Sequence, residues 1–387
     1  MNKKALAILS AAHLATDISQ GALPALLPLF KEALNLSYTT AGVILLFGNL
    51  TSSVIQPVFG YLSDRRPIGW LLPLAPFIAC LGMSLTGLMS DYTLLIVCVM
   101  VSGFGVASFH PEGFKTSHFF TGERKVTGMS IFAVGGNLGI ALGPIWALSL
   151  VNSFGLKGTL GMILPGIVML GILLFSLSWL THPVHSAFAQ MKKDPERRRF
   201  PREQIPSLLL LIGVVTMRSW TQFGLLTYIP FYYIDYLKAS PLYAGKLVST
   251  FLMAGALGTV LGAPLADRWG HKKFISATLI LSFPFLLLFY NTEGPFAFVI
   301  LGMVGMILVS TFGVTVVMAQ ALIPQHLGMA SGLMVGFAIG TGGIGVTLLG
   351  SIADHWGVPM ALKTIFVLPL IGFALTLLMK YRPSHKD

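Results

Sequence analysis

Long apolar stretches recur along almost the whole chain, and they constrain the fold more than any other feature. A helix needs roughly 20 mainly apolar residues to cross the hydrocarbon core of a bilayer. Only 10% of the 387 residues are charged, against roughly 25% in an ordinary soluble domain. We therefore predict an all-α integral membrane protein. The twelve predicted transmembrane helices are residues 5–30, 39–62, 70–90, 93–119, 126–151, 158–180, 206–236, 241–265, 273–290, 295–321, 327–353 and 359–380.

The basic residues predict how the chain is oriented in a lipid bilayer. A formal net charge of +11 is compatible with nucleic-acid binding, but most Lys and Arg residues lie in one set of alternating loops and at both termini. Loops rich in Lys and Arg stay on the cytoplasmic side of a membrane. We therefore expect both termini in the cytoplasm and no nucleic-acid partner.

The longest polar stretch divides the chain into two halves. It carries a run of charged residues between Lys192 and Arg199, which is typical of a cytoplasmic linker. We predict a six-helix bundle at residues 1–180, a linker at 181–205 and a second six-helix bundle at 206–387.

The two halves also repeat each other. The loop after the second span of each half carries an Asp-Arg pair, Asp64–Arg65 in one and Asp267–Arg268 in the other. Such duplication is typical of transporter folds whose two bundles rock around a site at the midplane. We interpret these four residues as gating residues that form cytoplasmic ion pairs; for the arginines a role in topology alone stays open.

The chain resembles the major facilitator superfamily of transporters over essentially its whole length, and within it the fosmidomycin-resistance branch. Besides the repeated Asp-Arg loop, the motifs that carry the resemblance are His13-x-x-x-Asp17, Gln56-Pro57, Phe109-His110-Pro111-Glu112, Gly135-Gly136-Asn137 and Gly328-x-x-Ser331-Gly332. The resemblance implies the major facilitator fold, two bundles related by pseudo-two-fold symmetry. It also implies a bacterial inner-membrane antiporter for efflux and antibiotic resistance, driven by a proton gradient without a cofactor, and we expect a monomer.

His13 and Asp17 are the first candidates for chemistry within a predicted span. They stand four residues apart, on one face of the first helix. A charge at bilayer depth costs at least about 2.5–3.5 kcal/mol, so a charged residue there is a candidate for function. We interpret Asp17 as a proton carrier partnered by His13. A static His–Asp hydrogen bond that only locks helix packing is the alternative.

The fourth span places His110 and Glu112 on either side of Pro111, with Lys115 close by. A proline frees a backbone carbonyl, around which polar groups gather. We interpret His110 and Glu112 as a proton relay. The alternative is that Glu112 and Lys115 only neutralise each other at i, i+3. The spacing does not match a zinc-protease motif, and we predict no metal site.

Arg218 lies in the seventh span, almost as the repeat counterpart of Asp17. Its planar guanidinium suits a carboxylate or phosphate on a substrate, or Asp17 itself across the bundle interface. The alternative is a fixed Arg–Asp gate. Other polar residues of the spans, Gln56 among them, are candidates to line a cavity. With Arg218, the predicted substrate-binding residues are Gln20, Asn137, Gln222 and Tyr228.

These residues predict a secondary transporter that exports a small molecule in exchange for protons. A proton-coupled importer of a small anion uses the same residues and stays open. A membrane receptor or an intramembrane enzyme is the alternative of another class. The spans carry no Ser/His, paired-Asp or metal-ligand motif, and no phosphate-binding loop is present. We therefore predict that the protein is not an enzyme.

Overall fold

The fold is all-α, as predicted from the sequence. A computed structural model describes residues 1–36, 38–66, 68–193, 202–239, 241–338 and 340–381. The structure is 89% helical, and the described residues contain no strand.

The α-helices of the described residues are numbered here in chain order. They are α1 (Lys3–Ala33), α2 (Tyr38–Asn49), α3 (Gln56–Arg65), α4 (Leu71–Leu85), α5 (Tyr92–His118), α6 (Lys125–Phe154), α7 (Ile163–Lys193), α8 (Ile205–Phe231), α9 (Pro241–Trp269), α10 (His271–Tyr290), α11 (Pro295–Val309), α12 (Phe312–Leu322), α13 (Leu327–Ser331), α14 (Gly342–Trp356) and α15 (Val358–Leu378). Three π-helical segments interrupt the spans, at Leu50–Val54, Tyr232–Tyr236 and Gly332–Ala338.

Within the described residues, eleven helices are long and apolar enough to cross a membrane. Helix α1, with 31 residues, is not among them although it is long enough to span. Its middle carries His13, Asp17 and Gln20, which lower its hydropathy. With α1 the chain has the twelve predicted spans, and the first of them is the least apolar because it carries candidate functional residues.

The chain divides into two compact units, which we describe separately. The first contains Met1–Phe200 and Ile323–Phe337, and the second contains Pro201–Leu322 and Ala338–Asp387. Helix α7 continues to Lys193, through much of the predicted linker at 181–205. Residues 194–201 of that linker lie outside the described part of the chain. The domain boundaries read from the sequence stay a prediction.

Helix α1 packs more extensively against α6 than any other pair of helices in the chain packs together. Glycines at four-residue intervals on α6 allow this, since a Cβ at Gly135 would lie 1.9 Å from the carbonyl oxygen of Ser10, and one at Gly139 2.4 Å from that of Leu14. No side chain fits in such a space. The glycines thus let the backbones of α1 and α6 touch, and this contact fixes the position of α1 along α6.

A second close contact explains why residues 323–337 belong to the first unit. We call Gly328, Gly332 and Gly336 the glycine seam; they lie at four-residue intervals. A Cβ at Gly332 would lie 2.7 Å from the carbonyl oxygen of Gln56. A Cβ at Gly60, on α3, would lie 2.3 Å from the carbonyl oxygen of Gly328. The two backbones therefore touch without intervening side chains.

The second unit has a core of aromatic and aliphatic side chains. Helix α8 packs on α15, and α9 packs on α11. Leu225 of α8, Phe251 of α9, Phe289 of α10, Leu301 of α11 and Phe366 of α15 are all buried in one cluster. This cluster fixes α8, the helix that carries Arg218.

Candidate functional site

Asp17 lies between two histidines in the first unit. Its Oδ2 is 3.2 Å from Nε2 of His13, one turn earlier on α1, and its Oδ1 is 3.1 Å from Nε2 of His110 on α5. All three side chains are buried. The predicted pairing of His13 with Asp17 is therefore present, and His110 joins it from another helix.

Aromatic rings enclose His13. Its ring stacks on Phe132 at a centroid distance of 4.3 Å, with Phe109 and Phe114 at 6.0 and 5.8 Å. On the remaining side, a Cβ at Gly136 would lie 2.4 Å from Nε2 of His13 and 2.7 Å from Oδ2 of Asp17. The side chains around the pair thus leave space for hydrogen bonds and for little else.

The hydrogen-bond partners assign the protons of His13. Its Nδ1 lies 2.9 Å from the carbonyl oxygen of Phe132, and because a carbonyl oxygen only accepts, Nδ1 carries a hydrogen. Its Nε2 faces Oδ2 of Asp17, so a hydrogen bond there needs one further proton. That proton lies on Nε2, giving an imidazolium–carboxylate pair, or on Oδ2, giving a neutral pair.

Gln56 assigns the protons of His110. The Nε2 of Gln56 lies 2.7 Å from the carbonyl oxygen of Ser52 and 3.0 Å from Nδ1 of His110. Since the carbonyl fixes the amide nitrogen as the donor, Nδ1 of His110 is an acceptor. His110 therefore carries its hydrogen on Nε2 and donates it to Oδ1 of Asp17. The proton whose position these hydrogen bonds leave open is therefore the one between His13 and Asp17.

Glu112 is not part of this network. Its Oε2 is 2.7 Å from Nζ of Lys115, and both side chains are buried. The hydroxyl of Ser63 donates to the same Oε2, and Lys115 also donates to the hydroxyl and the carbonyl oxygen of Ser63. The geometry favours the local ion pair over the relay, which were the two interpretations that the sequence left open.

Asp64 caps a helix. Its two carboxylate oxygens accept hydrogen bonds from the backbone N–H groups of Gly328 and Met329, at 2.9 and 2.8 Å, at the start of α13. The N-terminus of a helix leaves such N–H groups free and favours negative charge. Arg65 is exposed, and its guanidinium lies 4.5 Å from the ring centre of Tyr61. The partners of Asp64 are thus backbone groups rather than the predicted arginines, while the gating role stays a prediction.

Arg218 lies on α8 in the second unit and is also buried. Its Cζ is 5.9 Å from the ring centre of Phe312. Two of its nitrogens, Nε and Nη1, are buried and have no hydrogen-bond partner among the described residues. The predicted pairing of Arg218 with Asp17 joins the two units and stays a prediction.

The other predicted site residues differ in their surroundings. Gln20 lines a cavity of about 50 Å³ in the first unit, together with Asn49 and Ser102. Tyr228 is buried and donates its hydroxyl to the carbonyl oxygen of Val346, at 2.9 Å. Asn137 is exposed and Gln222 half-buried on their helices.

Of the second Asp-Arg pair, Asp267 is half-buried and Arg268 exposed on α9. The predicted roles of these residues in substrate binding and gating remain predictions.

The histidine–aspartate cluster also has donors of the kind that bind zinc. Its ligand atoms lie within 4.8 Å of one another. A zinc-bound histidine donates its other ring N–H to an acceptor. His13 meets this condition through Phe132, but His110 does not, since Gln56 presents an N–H to it. The hydrogen bonds therefore fit protons better than a metal ion.

Three residues of the site had no functional assignment from the sequence. The sequence marks Gln56 only as one of several polar residues of the spans and Gly136 only as part of a motif, and nothing marks Ser63. Their contacts with the titratable groups join distant parts of the chain, with a separation of 54 residues between Gln56 and His110 and of 49 between Ser63 and Glu112. The one available signal was the position of Gln56 and Gly136 within the family motifs.

Comparison with known proteins identifies the family. The sequence model of the Major Facilitator Superfamily matches residues 9–245 and 208–387. The chain belongs to this superfamily. It is 31% identical to the fosmidomycin resistance protein of Escherichia coli (strain K12), with 99% of this chain and 94% of that protein covered. It is 32% identical to the uncharacterized MFS-type transporter YfnC of Bacillus subtilis (strain 168), with 98% and 94% covered. The resemblance read from the motifs is confirmed.

Solved structures show the same fold. The superfamily transporter FucP in the outward conformation matches with a TM-score of 0.76 at 15% identity, over 97% of this chain and 99% of that one. The proton:xylose symporter XylE matches with a TM-score of 0.70 at 16% identity, over 97% and 94%. The protein is thus a multi-pass membrane transporter of the major facilitator fold.

Proposed function

We propose that this transporter exports a small anionic molecule in exchange for protons. The observation that carries the proposal is the buried contact of 3.2 Å between Nε2 of His13 and Oδ2 of Asp17, which requires a proton between them. If that proton leaves, Nε2 of His13 and Oδ2 of Asp17 become two acceptors facing each other at 3.2 Å. The pair is buried, so water does not screen the repulsion.

Loss of the proton therefore requires the pair to separate or another donor to enter. Both residues are on α1, so separation of the pair strains or breaks the bond of His13 to the carbonyl oxygen of Phe132 on α6, or that of Asp17 to His110 on α5. This links the protonation state to the conformation of the first unit, which is what a proton-coupled transporter needs.

Arg218 is the proposed contact for the substrate. A buried guanidinium with unpaired N–H groups is costly, and a carboxylate, phosphate or phosphonate would satisfy Nε and Nη1 together. One relative is named a fosmidomycin resistance protein, so the phosphonate antibiotic fosmidomycin is the first compound to test. We propose that His13, Asp17 and His110 handle the proton, with Glu112 paired to Lys115.

A proton-coupled importer is the second candidate. The matching structures include FucP, titled a fucose:proton symporter, and XylE, titled a proton:xylose symporter. At 14% and 16% identity these neighbours support only the fold. Exchange results if substrate and proton compete for one state, and symport results if they bind together.

We place the protein in a bacterial cytoplasmic membrane, with both termini in the cytoplasm, because the Lys- and Arg-rich loops and the termini lie on the same side in the predicted topology. We propose that it acts as a monomer, with a small molecule and protons as its partners and without a cofactor. Transport rather than enzymatic catalysis is the proposed activity.

The test is proton movement in proteoliposomes. Vesicles that contain the purified protein and a trapped pH-sensitive dye are given a proton gradient, and fosmidomycin is added outside. For antiport we expect proton efflux when the compound enters, and for symport proton influx. Asp17→Asn abolishes the response because an amide cannot exchange the proton.

The matched control is Asp354→Asn, the same chemical change on an exposed side chain of α14, and it behaves as wild type. The sign of the dye signal decides between export by exchange and proton-coupled import. The proton role of Asp17 is wrong if Asp17→Asn couples as well as wild type. The whole proposal is wrong if neither fosmidomycin nor other phosphonates and small organic anions move protons in the wild-type protein.

A further inference from the structure

Gln56 lies where two features of the first unit meet. It begins α3 directly after the π-helical segment Leu50–Val54 and Ile55, and its side chain is buried. Its amide contacts His110, and its backbone and side chain contact the glycine seam. Gln56 therefore connects the two directly.

The amide nitrogen of Gln56 serves a carbonyl group in the helix interruption. In a π-helix the carbonyl of residue i pairs with the N–H of residue i+5. The residue five positions after Ser52 is Pro57, which has no N–H. Gln56 Nε2 donates to the carbonyl oxygen of Ser52 instead, at 2.7 Å. This bond fixes which end of the amide faces His110.

The other end of the amide is unsatisfied. Oε1 of Gln56 is buried and has no hydrogen-bond partner among the described residues. A buried acceptor without a partner costs about 1–3 kcal/mol. A half turn of the amide would bring this oxygen toward Nδ1 of His110, where it accepts a hydrogen if His110 carries one there. The side chain therefore has a second orientation, in which Oε1 accepts from His110 and Nε2 gives up its bond to Ser52.

The glycine seam holds Gln56 in place. A Cβ at Gly336 would lie 2.5 Å from Cβ and 2.9 Å from Cδ of Gln56, and 2.4 Å from the carbonyl oxygen of Ser53. Cδ is the amide carbon, so the backbone at Gly336 packs directly on the group that would turn. A turn of the amide would therefore change the packing of residues 332–336 on Gln56.

We propose that Gln56 is the positioning residue that transmits the protonation of His110 to the glycine seam. The inference rests on the proposed proton coupling and deepens it, since it names the route by which the proton site reaches the segment Ile323–Phe337. In the arrangement described, Gln56 donates to Nδ1 of His110, and Nε2 of His110 donates to Asp17. A second proton, bound at Nδ1, would face the N–H of Gln56, and two donors facing each other repel. The amide therefore turns, gives up its bond to Ser52 and loosens its packing on Gly336.

The proton balance is simple. One proton from the aqueous phase binds Nδ1 of His110, Nε2 keeps its hydrogen, and the ring becomes an imidazolium that still donates to Asp17. The titratable groups facing this ring or near it are His13 and Asp17 on α1, Glu112 and Lys115 on its own helix, and Asp64 on α3. Glu112 and Lys115 neutralise each other, so the carboxylate of Asp17 is the partner that favours the imidazolium.

The direct test is the protonation of His110, read by nitrogen NMR of the full chain with ¹⁵N-labelled histidine in lipid nanodiscs. The ring signals are assigned by their loss in His110→Asn. In the wild type at neutral pH we expect a hydrogen on Nε2 alone. In Gln56→Glu we expect a hydrogen on Nδ1 at the same pH, since a carboxylate only accepts. Gln190→Glu, the same change on an exposed side chain, leaves the wild-type signals.

A second variant tests the link to the seam without changing any polar group. Gly336→Ala places a methyl group against Gln56, so we expect altered Nδ1 signals of His110 although the substitution is on another helix. Gly343→Ala is the control, because a Cβ there meets nothing within 4 Å. A residue with only a structural role would not move the ring nitrogens of His110.

Transport completes the test. In proteoliposomes we expect Gln56→Glu to move the pH midpoint of substrate-driven proton exchange to higher pH by about one unit, as expected when a carboxylate stabilises a neighbouring cation. The inference is overturned if His110 keeps Nδ1 unprotonated in Gln56→Glu, or if Gly336→Ala leaves its signals unchanged. Neither NMR result depends on transport, so failure of this inference is distinct from failure of proton coupling in the wild type.

Discussion

Asp17 in the first unit and Arg218 in the second are both buried charged groups, yet their surroundings differ. Asp17 has a partner for each oxygen, His13 and His110, and both histidines are in turn bonded to further groups of the same unit. Arg218 has an aromatic ring near its guanidinium and two nitrogens without partners among the described residues.

These different surroundings suit the two roles proposed for Asp17 and Arg218. Both oxygens of Asp17 already have hydrogen-bond partners, so a ligand could bind there only by displacing a histidine. A proton is small enough to enter without displacing either one. A cation left partly unsatisfied gains from an external anion, because burial has already removed its water. In the proposed function, the first unit therefore handles protons and the second contacts a charged substrate.

The largest expected effect is on stability, and its sign differs between the two sites. Asp17→Leu leaves both histidines without their partner, so we expect a loss of about 3 kcal/mol in the free energy of unfolding. Arg218→Met removes a buried cation whose Nε and Nη1 have no partner among the described residues, so we expect no loss, or a gain of about 1 kcal/mol. Thermal unfolding in detergent micelles measures both.

The outcome of this experiment decides whether the two sites differ. Equal destabilisation by the two substitutions would mean that the guanidinium of Arg218 has its hydrogen-bond partners within the protein and does not need a ligand to supply them. Adding substrate sharpens the result, since a bound anion should raise the unfolding temperature of the wild type and leave that of Arg218→Met unchanged.

A smaller effect is expected when the charge of Arg218 is kept and its shape is changed. Arg218→Lys retains a cation but loses the planar fork that meets two oxygens at once. The loss of one charge-assisted hydrogen bond, about 1.5–3 kcal/mol, predicts an increase of roughly 10- to 100-fold in the half-saturating substrate concentration. Substrate titrations of proton movement in proteoliposomes measure it, and the pH midpoint should not change. An unchanged concentration would mean that Arg218 acts as a point charge or does not touch the substrate.

The two regions were predictable from the sequence to different degrees. The spans follow from local hydropathy, and the one helix that fails a hydropathy criterion, α1, fails it because of its functional residues. The contact of His13 with Asp17 follows from helix geometry alone, since residues at i and i+4 share a face. These features require no knowledge of tertiary structure.

Other contacts could not be predicted because they depend on how helices meet. His110 reaches Asp17 from 93 residues away, and nothing in the motif around Pro111 says whether His110 or Glu112 faces α1. Asp64 looked like half of an ion pair, but its partners are backbone N–H groups, which every residue has and which no sequence pattern marks. Gly136 is one of several glycines in its motif, and only the structure shows that a side chain there would meet His13 and Asp17.

The smallest expected effect concerns two capping carboxylates of the first unit. Asp64 accepts from Gly328 and Met329 across the glycine seam, whereas Asp91 accepts from Leu94 N–H of its own helix, at 2.9 Å, and is exposed. Loss of a cap costs about 1 kcal/mol, so Asp64→Ala and Asp91→Ala should lower stability by similar, small amounts.

Their effects on transport should differ. Asp64 holds residues 327–329 against α3, whereas Asp91 only caps the start of its own helix, α5. We therefore expect only Asp64→Ala to change the rate of proton-coupled transport at saturating substrate. Unfolding and transport measured on the same two variants separate the cases. If Asp91→Ala slows transport as much as Asp64→Ala, the cap on α13 is ordinary stabilisation, and the proton site alone carries the coupling in the first unit. If only Asp64→Ala does so, the coupling extends from Asp17 to the Gly328 end of the glycine seam, and Arg218 in the second unit remains the proposed contact for substrate.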